Sequence, residues 1–309
     1  MKNGFFGTMW KQRYLQMFVL IGMAYLLVFN YLPMFGIIIA FKEYKISTGI
    51  LGMFTSPFVG LKHFIEFFGD YKFAELLRNT LTLSLFKLFF SFPMPIFLAL
   101  ILNEVRAPKV KRTVQTVSYL PYFISWIIVA GFCQIILSNN GILNDVVSLF
   151  GAERMQFLSG AQYFLPIAVI TALWKETGWW TIIFLAAITS IDLALYEAAD
   201  IDGATRLQKI GFITLPGIRP TVTVVLILAL GNLMGGGLSG SNFEQSYLFG
   251  NAANLSTSQI LQTYVLQVGL SQGRYSFASA AGLFQSFISV TMVFLSNFVA
   301  KKVSGEGLF

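Results

Sequence analysis

The sequence predicts an all-α polytopic membrane protein with six transmembrane helices, and three observations carry that expectation. Of 309 residues, 56% are hydrophobic and only 11% are charged, against about 25% charged in an ordinary soluble domain. So few charges cannot cover a water-facing surface, which excludes a soluble globular chain of this size. Apolar runs of spanning length recur along the chain, separated by polar connections. The basic residues collect beside those runs. Membrane topology and anionic lipid explain that distribution better than nucleic acid does, despite a formal net charge of +7.

A helical span needs roughly 20 apolar residues. Six segments qualify, at about 16–41, 76–102, 117–138, 163–188, 218–236 and 278–300. The first is too long for a signal-peptide core and no small-residue cleavage site follows it, so it reads as an uncleaved span. Pro33, Pro93, Pro95 and Pro121 fall in or near spans, where kinks are tolerated if neighbouring helices satisfy the freed carbonyls. The fifth run is short and ends in Gly235-Gly236-Gly237. Nothing reads as a separate soluble domain, so residues 1–309 form a single transmembrane domain.

Orientation follows from Lys and Arg in the connections. Lys2, Lys11, Arg13, Arg106, Lys109, Lys111, Arg112, Arg206, Lys209, Arg219, Lys301 and Lys302 fall on one side. Lys42, Lys45, Lys62, Lys72, Arg78, Arg154 and Arg274 fall on the other, over much longer loops. The first side is expected to be cytoplasmic, with both termini and the 197–216 segment on it. Single Cys133, inside an apolar run, permits no disulfide within the chain. Single His63 excludes a His-rich metal site. The GLSQG stretch at 269–273 matches the nucleophile-elbow spacing but has neither a preceding strand nor a histidine nearby.

Between the fourth and fifth runs lies EAADIDGATRLQKIGFITLP, Glu197 to Pro216. Asp192 can cap a short helix, LALYEAADI. Gly203 breaks it, and Asp202 is placed to cap a second short helix from about Ala204 to Phe212. Pro216 is expected at the entry to the fifth span, where a missing N–H costs little. Small Ala198, Ala199 and Ala204 let another backbone approach, while Glu197 and Asp202 offer charge to a basic partner. The residues alone leave two readings open: a docking helix pair, or a solvated amphipathic connector.

The spacing E-A-A, three residues, Gly, nine residues, I-x-L-P resembles the signature loop of binding-protein-dependent ABC importer permeases. Glu197, Ala198, Ala199, Gly203, Ile213, Leu215 and Pro216 carry the match. VGLKHF (59–64), RNTL (78–81), ILNEVR (101–106), VQTVSYLPYFISWIIVAG (114–131), WKETGWWTIIFLAAI (174–188) and YVLQVGLSQGRYSFASAAGLF (264–284) extend the likeness over nearly the whole chain, towards the polysaccharide-type branch of carbohydrate permeases. The resemblance implies the type I importer permease fold, with the 191–216 loop as a coupling helix that docks in a groove of a cytoplasmic ATPase subunit. It also implies a second homologous permease, two ATPase subunits carrying ATP and Mg, an extracytoplasmic solute-binding protein and an oligosaccharide cargo. The bacterial cell membrane is the implied location, and nucleic acid is not an expected partner.

The chain contains no Gly-Lys dipeptide, so the phosphate-cradling loop of an ATPase is absent. Any ATP-driven step must occur on another polypeptide, and no covalent catalysis is expected here. Lys175 and Glu176 sit near the middle of the fourth run, where a charge costs about 2.5–3.5 kcal/mol on insertion scales and therefore faces a cavity or a partner. Helical neighbours point about 100° apart, so the two need not pair with each other. Trp174, Trp179 and Trp180 suit either sugar stacking or a membrane-interface belt. Gln259, Gln262, Thr263 and Gln267 form one polar stripe on a helix expected from Ser258 to Leu270, with Tyr264 beside it. That stripe suits either hydroxyl-rich ligands or the wet face of a surface helix. Asn232, within the fifth run, should face protein or cavity. Two other classes compete: an autonomous secondary transporter or channel using Lys175 and Glu176, and a membrane enzyme, for which no nucleophile–base or metal constellation is found.

Overall fold

In the computed structural model the described residues are 10, 12–305, 307 and 308, so Lys2 and Lys11 of the topology argument lie outside them. The helices run in the order α1 (Arg13–Phe41), α2 (Gly49–Thr55), α3 (Lys62–Phe68), α4 (Phe73–Glu104), α5 (Pro108–Phe123), α6 (Trp126–Ile136), α7 (Ile142–Leu149), α8 (Ala161–Thr189), α9 (Leu193–Ile201), α10 (Arg206–Gly231), α11 (Asn242–Phe249), α12 (Leu255–Ser258), α13 (Leu261–Leu266) and α14 (Tyr275–Ser304). No strand occurs among the described residues; a single bridge joins Lys42 to Phe58. Four helices, α1, α4, α10 and α14, are long and apolar enough to cross a membrane, and six spans result if α5 with α6 and α8 with α9 each count as one.

Two expected elements change. The third apolar run, read as one span over 117–138, is bent by 100° between α5 and α6. Pro121 sits in the 3₁₀ turn that ends α5, Ile124 is extended, and Ser125 caps α6 by accepting from the Ile128 N–H. The fifth span begins at Arg206, well before the expected 218, and runs 26 residues. At 1.5 Å per residue that is about 39 Å, longer than the roughly 30 Å hydrocarbon core. Backbone hydrogen bonds continue a helix regardless of side-chain polarity, so α10 runs straight through the polar stretch that hydropathy excludes.

The chain divides into two units, Met1–Asp70 with Val265–Leu283, and Tyr71–Tyr264 with Phe284–Phe309. In the first, α1 buries only Ile39 and Ala40 and turns its remaining apolar side chains outward, as a lipid-facing helix does. Around α3, Phe67 and Phe277 are fully buried and meet edge to face at 5.9 Å. Arg274 lies over the Phe277 ring and pairs with Glu66 at 2.8 Å. His63 is buried with Nε2 3.2 Å from the Lys42 carbonyl oxygen. Lys62 donates to Glu43 at 2.8 Å, which holds the Glu43 carboxyl below its usual range and the Lys62 ammonium above its own. The Glu43 contribution to stability is present above the unfolded carboxylate pKa and fades as pH falls through the lowered folded value. The pair is exposed, so solvent screens it heavily.

In the second unit α8 is the spine. One apolar cluster joins Ala99, Leu102, Phe184, Leu185, Ile188, Ile218 and Val225, packing α4, α8 and α10 together. Another joins Leu83, Val129, Cys133, Phe164, Ala168 and Phe249 across α4, α6, α8 and α11. Cys133 is buried there as packing. Gly178 permits the tightest approach: a Cβ at that position would collide with the backbone of Ser118 and Tyr119 on α5. Replacing Gly178 with Ala should therefore destabilise the protein by about 1–3 kcal/mol, the range for overpacking. Gly131→Ala on α6, where a Cβ meets nothing within 4 Å, is the matched control. Thermal unfolding in detergent should show a lowered midpoint for the first variant and none for the second.

Candidate functional site

Two regions concentrate groups that packing alone does not explain. The first is the loop over residues 191–216. Asp192 caps α9 by accepting from the Ala194 N–H at 2.9 Å, as its sequence position suggests. Gly203 then turns the chain with φ +73°, a region that disfavours any Cβ. Asp202 does not cap a second helix; it ends α9, and Thr205 is the N-cap of α10. Thr205 and Gln208 form a reciprocal capping box, which satisfies two free N–H groups at once. The expected short helix from Ala204 to Phe212 is instead the first turns of α10. Leu215 and Pro216 lie inside that long helix, after a π-helical turn over Ile210–Thr214.

The loop is braced. Tyr196 Oη and Thr214 Oγ1 share a hydrogen bond at 2.8 Å, with Thr214 buried. Lys209 donates to Asp200 at 2.6 Å, and Arg206 pairs with Glu104 of α4 at 3.9 Å. The first two tie α9 to the start of α10 across the Gly203 turn, and the third ties α10 to α4. Glu197, Ala198, Asp202 and Gly203 are exposed, and Ala199 and Ala204 are half-buried. Around them Ile201, Leu207 and Phe212 stand 88%, 81% and 81% exposed. Sequence reading weighed the alanines and charges of this loop and passed over these three large apolar side chains. Their signal was present as apolar residues within a polar connection.

The second region is a polar interior in the second unit. Thr80, Ser84, Lys87 and Ser91 are buried and recur along α4 at i, i+4, i+7 and i+11, one helical face. Lys87 is wholly buried and donates to Ser241 Oγ at 3.1 Å; Ser84 Oγ accepts from Asn242 at 2.7 Å. Gln245 donates to the Ala168 carbonyl at 2.8 Å and to Thr171 at 3.0 Å. Five buried polar atoms here have no hydrogen-bond partner: Ser91 Oγ, Asn242 Oδ1, Gln245 Oε1, Ser246 Oγ and Trp180 Nε1. Sequence reading missed Lys87, whose signal was a lone cation inside an apolar run with hydroxyls at helical spacing.

Lys175 and Glu176 are both buried, at 6% and 5% exposure. No ion pair joins them among the described residues. Lys175 donates to the Tyr122 carbonyl at 2.6 Å, with its ammonium 5.1 Å from the Tyr122 ring and 5.5 Å from the Trp126 ring. Glu176 has Lys87, Lys175 and Glu244 as its charged neighbours. Trp179 stacks on Tyr122 at 4.5 Å, Trp180 packs in the α4–α8–α10 cluster, and Trp174 is half-exposed.

The expected helix from Ser258 to Leu270 is broken. Gln259 is extended between α12 and α13, because Asn79 takes its carbonyl at 3.0 Å and Thr80 Oγ1 accepts the Leu261 N–H at 3.0 Å. Gln259 thereby leaves the expected stripe, and a π-helical turn follows over Gln267–Ser271. Gln262 Oε1 is buried without a partner, whereas Thr263 bonds locally to Ile260. The Tyr264 ring lies 5.9 Å from the Lys72 ammonium, and Gln267 is exposed in the first unit. Asn232 lies just past α10, not within it, and donates to Gly237 at 3.0 Å to close the triple-glycine turn. No group of three His, Cys, Asp or Glu among the described residues is placed to hold a metal.

Removing Lys87 strips the Glu176 carboxylate of a neighbouring countercharge. Lys87→Met also removes the hydrogen bond to Ser241 and is expected to cost about 1–3 kcal/mol, the range for leaving a buried polar group unsatisfied. Lys87→Met with Glu176→Gln should recover most of that loss. Denaturant or thermal unfolding of both variants checks the pair.

Comparison with known proteins adds the context. Residues 91–305 match the family described as the binding-protein-dependent transport system inner membrane component. The polygalacturonan/rhamnogalacturonan transport system permease protein YteP of Bacillus subtilis (strain 168) is 44% identical over 97% of this chain and 91% of its own. Protein LplB of the same organism is 43% identical over 97% and 92%. A chain of a bacterial ABC transporter involved in the import of the acidic polysaccharide alginate superposes with a TM-score of 0.87 at 37% identity, covering 97% of this chain and 99% of that one. The same likeness holds for the alginate transporter in complex with an alginate pentasaccharide-bound periplasmic protein, over 98% and 99%.

Proposed function

The chain belongs to the family of binding-protein-dependent transport system inner membrane components and is a permease subunit of a carbohydrate ABC importer; from that premise we propose that it forms half of a translocation pathway and docks an ATPase subunit through residues 191–216. The observation that carries the docking assignment is the exposure of Ile201, Leu207 and Phe212 on a braced loop. Large apolar side chains held in water by a rigid frame mark an interaction surface. Glu197, Ala198, Ala199, Asp202, Gly203 and Ala204 form the polar, low-bulk part of the same surface, and Leu215 and Pro216 continue it into α10.

The mechanism is mechanical. Partner subunits bind ATP and Mg and move as rigid bodies when ATP is hydrolysed. A loop tied to α10 by Tyr196–Thr214 and to itself by Asp200–Lys209 passes that displacement into the long helix without bending. A second homologous permease completes the pathway, and an extracytoplasmic solute-binding protein delivers the cargo, an oligosaccharide or polysaccharide fragment. The subunit lies in the bacterial cell membrane with both termini and the docking loop cytoplasmic.

The pathway lies beside Glu176 and Gln262, with Trp174 and Tyr264 towards its ends, and Lys175 fixes the α5–α6 bend next to it. Polar atoms buried without a protein partner suit hydroxyl-rich cargo, because an amide both donates and accepts. Asn232 and Thr263 spend their groups on their own turns and have a shaping part there.

Glu197→Ala and Gly203→Leu should leave the subunit folded and uncouple ATP hydrolysis from uptake, with transport per ATP falling at least about tenfold, the equivalent of about 1.4 kcal/mol of coupling. Proteoliposomes with all subunits, assayed for ATPase and uptake together, read that ratio. Unchanged coupling overturns the docking assignment, and uptake by this chain without ATPase subunits would make it an autonomous carrier. Gln262→Ala should lower uptake without altering assembly; unaltered kinetics on several saccharides would remove it from the pathway.

A further inference from the structure

Histidine occurs once in the chain, at position 63. Its ring is buried within the first unit, where the end of α1, helix α3 and the approach to α14 meet. Nε2 lies 3.2 Å from the Lys42 carbonyl oxygen. A carbonyl only accepts, so that nitrogen carries the hydrogen. In the neutral ring Nδ1 is then a bare acceptor. It is buried, and no hydrogen-bond donor reaches it among the described residues. What it faces is a second acceptor, Oε2 of Glu66, at 3.6 Å.

The carboxylate is held there by another residue. The same Oε2 accepts from Arg274 Nη2 at 2.8 Å, across 208 positions of sequence. The Arg274 guanidinium in turn rests 4.5 Å above the ring of buried Phe277. The other cations nearby are already committed: Lys62 donates to Glu43 at 2.8 Å, and the Lys42 ammonium donates to the Phe54 carbonyl. Lys42, Lys62 and Arg274 oppose a further positive charge on the ring, while Glu43 and Glu66 favour it. Of the two acids, Glu66 stands at ion-pair distance from the ring. What is missing between Nδ1 and Glu66 is one hydrogen.

A proton supplies it. Imidazole is the side chain whose charge changes between about pH 5 and 8. The imidazolium donates from Nε2 to Lys42 and from Nδ1 to Glu66. Closing the 3.6 Å gap to the roughly 2.8 Å of a charge-assisted bond takes a small tilt of the ring. The Lys42 carbonyl, His63, Glu66 and Arg274 then form one unbroken chain of hydrogen bonds. With the ring neutral, that chain is open at Nδ1.

We propose that His63 is a proton-operated clamp, open when its ring is neutral and closed in acid by a bond from Nδ1–H to Glu66, and that it ties α3 to the stretch entering α14. The clamp stabilises this joint below the pH at which the ring takes its proton, and the gain is lost as pH rises. With both termini cytoplasmic, the connection after α1 lies outside the cell, so the proton is an external one. The clamp is local to one unit and is independent of the docking assignment.

The test uses the single histidine. Isotope-labelled histidine in the untagged full chain, in nanodiscs, gives one pair of ring-nitrogen resonances. At about pH 8 they should report the Nε2–H tautomer, and towards about pH 5 the imidazolium. Glu66→Gln should move the midpoint of that change down by about one pH unit, whereas Arg274→Gln, which frees the carboxylate for the ring, should move it up. Amide exchange over residues 265–274, expressed as protection, should be about tenfold slower at about pH 5 than at about pH 8 in the parent and equal at both in His63→Gln. An Nδ1–H tautomer, a ring still neutral at about pH 5, a Glu66→Gln midpoint equal to the parent's, or acid protection that survives in His63→Gln overturns the clamp. If His63→Gln does not fold, the parent's resonances and the opposite shifts of the other two variants decide alone.

Discussion

Hydrocarbon offers no hydrogen-bond partner to a bare amide or carbonyl, and at three breaks between helices of this protein a polar side chain supplies that partner. Where α12 gives way to α13, the carbonyl of Gln259 goes to Asn79 and the N–H of Leu261 to Thr80. Where α5 turns into α6, Ser125 receives an N–H of the new first turn. Beyond α10, Asn232 closes the glycine turn with its own amide. Each of these three breaks is thus stitched by a short polar side chain.

The same economy explains the polar interior. A face of hydroxyls and one lysine on α4 holds the segment from Ser239 to Leu261 by Lys87–Ser241, Asn242–Ser84 and Leu261–Thr80. Acceptors left over on Asn242, Gln245 and Gln262 are groups that a dry core would not retain. In the proposed pathway, cargo hydroxyls pair with such groups. Lys175 occupies a different niche, capped by the Tyr122 carbonyl and two aromatic faces, so its charge steadies the α5–α6 bend.

The loop over 191–216 combines stiffness with stickiness. Its stiffness comes from the capping box, the Tyr196–Thr214 bond and the Asp200–Lys209 pair, the last two spanning Gly203. Its stickiness comes from Ile201, Leu207 and Phe212, which stand exposed on its surface. Continuity of α10 from Arg206 to Gly231 then makes one lever of what hydropathy divides into a surface helix and a short span. In the proposed docking, a push on the loop tip acts along about 39 Å of helix.

Composition alone determined that this chain is a bundle of apolar helices, because 11% charge cannot clothe a soluble surface of 309 residues. Local chemistry determined the caps and turns that act within a few residues, such as Asp192 and Gly203, and the loop spacing placed the chain in its family. Other features were settled only by contacts distant in sequence. The Thr205–Gln208 capping box that starts α10, by contrast, is local and legible as T-x-x-Q, though the sequence reading placed Asp202 there. The glutamine stripe is split because Asn79 and Thr80, about 180 positions away, capture its backbone. Lys87 is an interior anchor because Ser241 folds over it. A side chain's partner across the bundle is set by packing, and no periodicity along the chain encodes it.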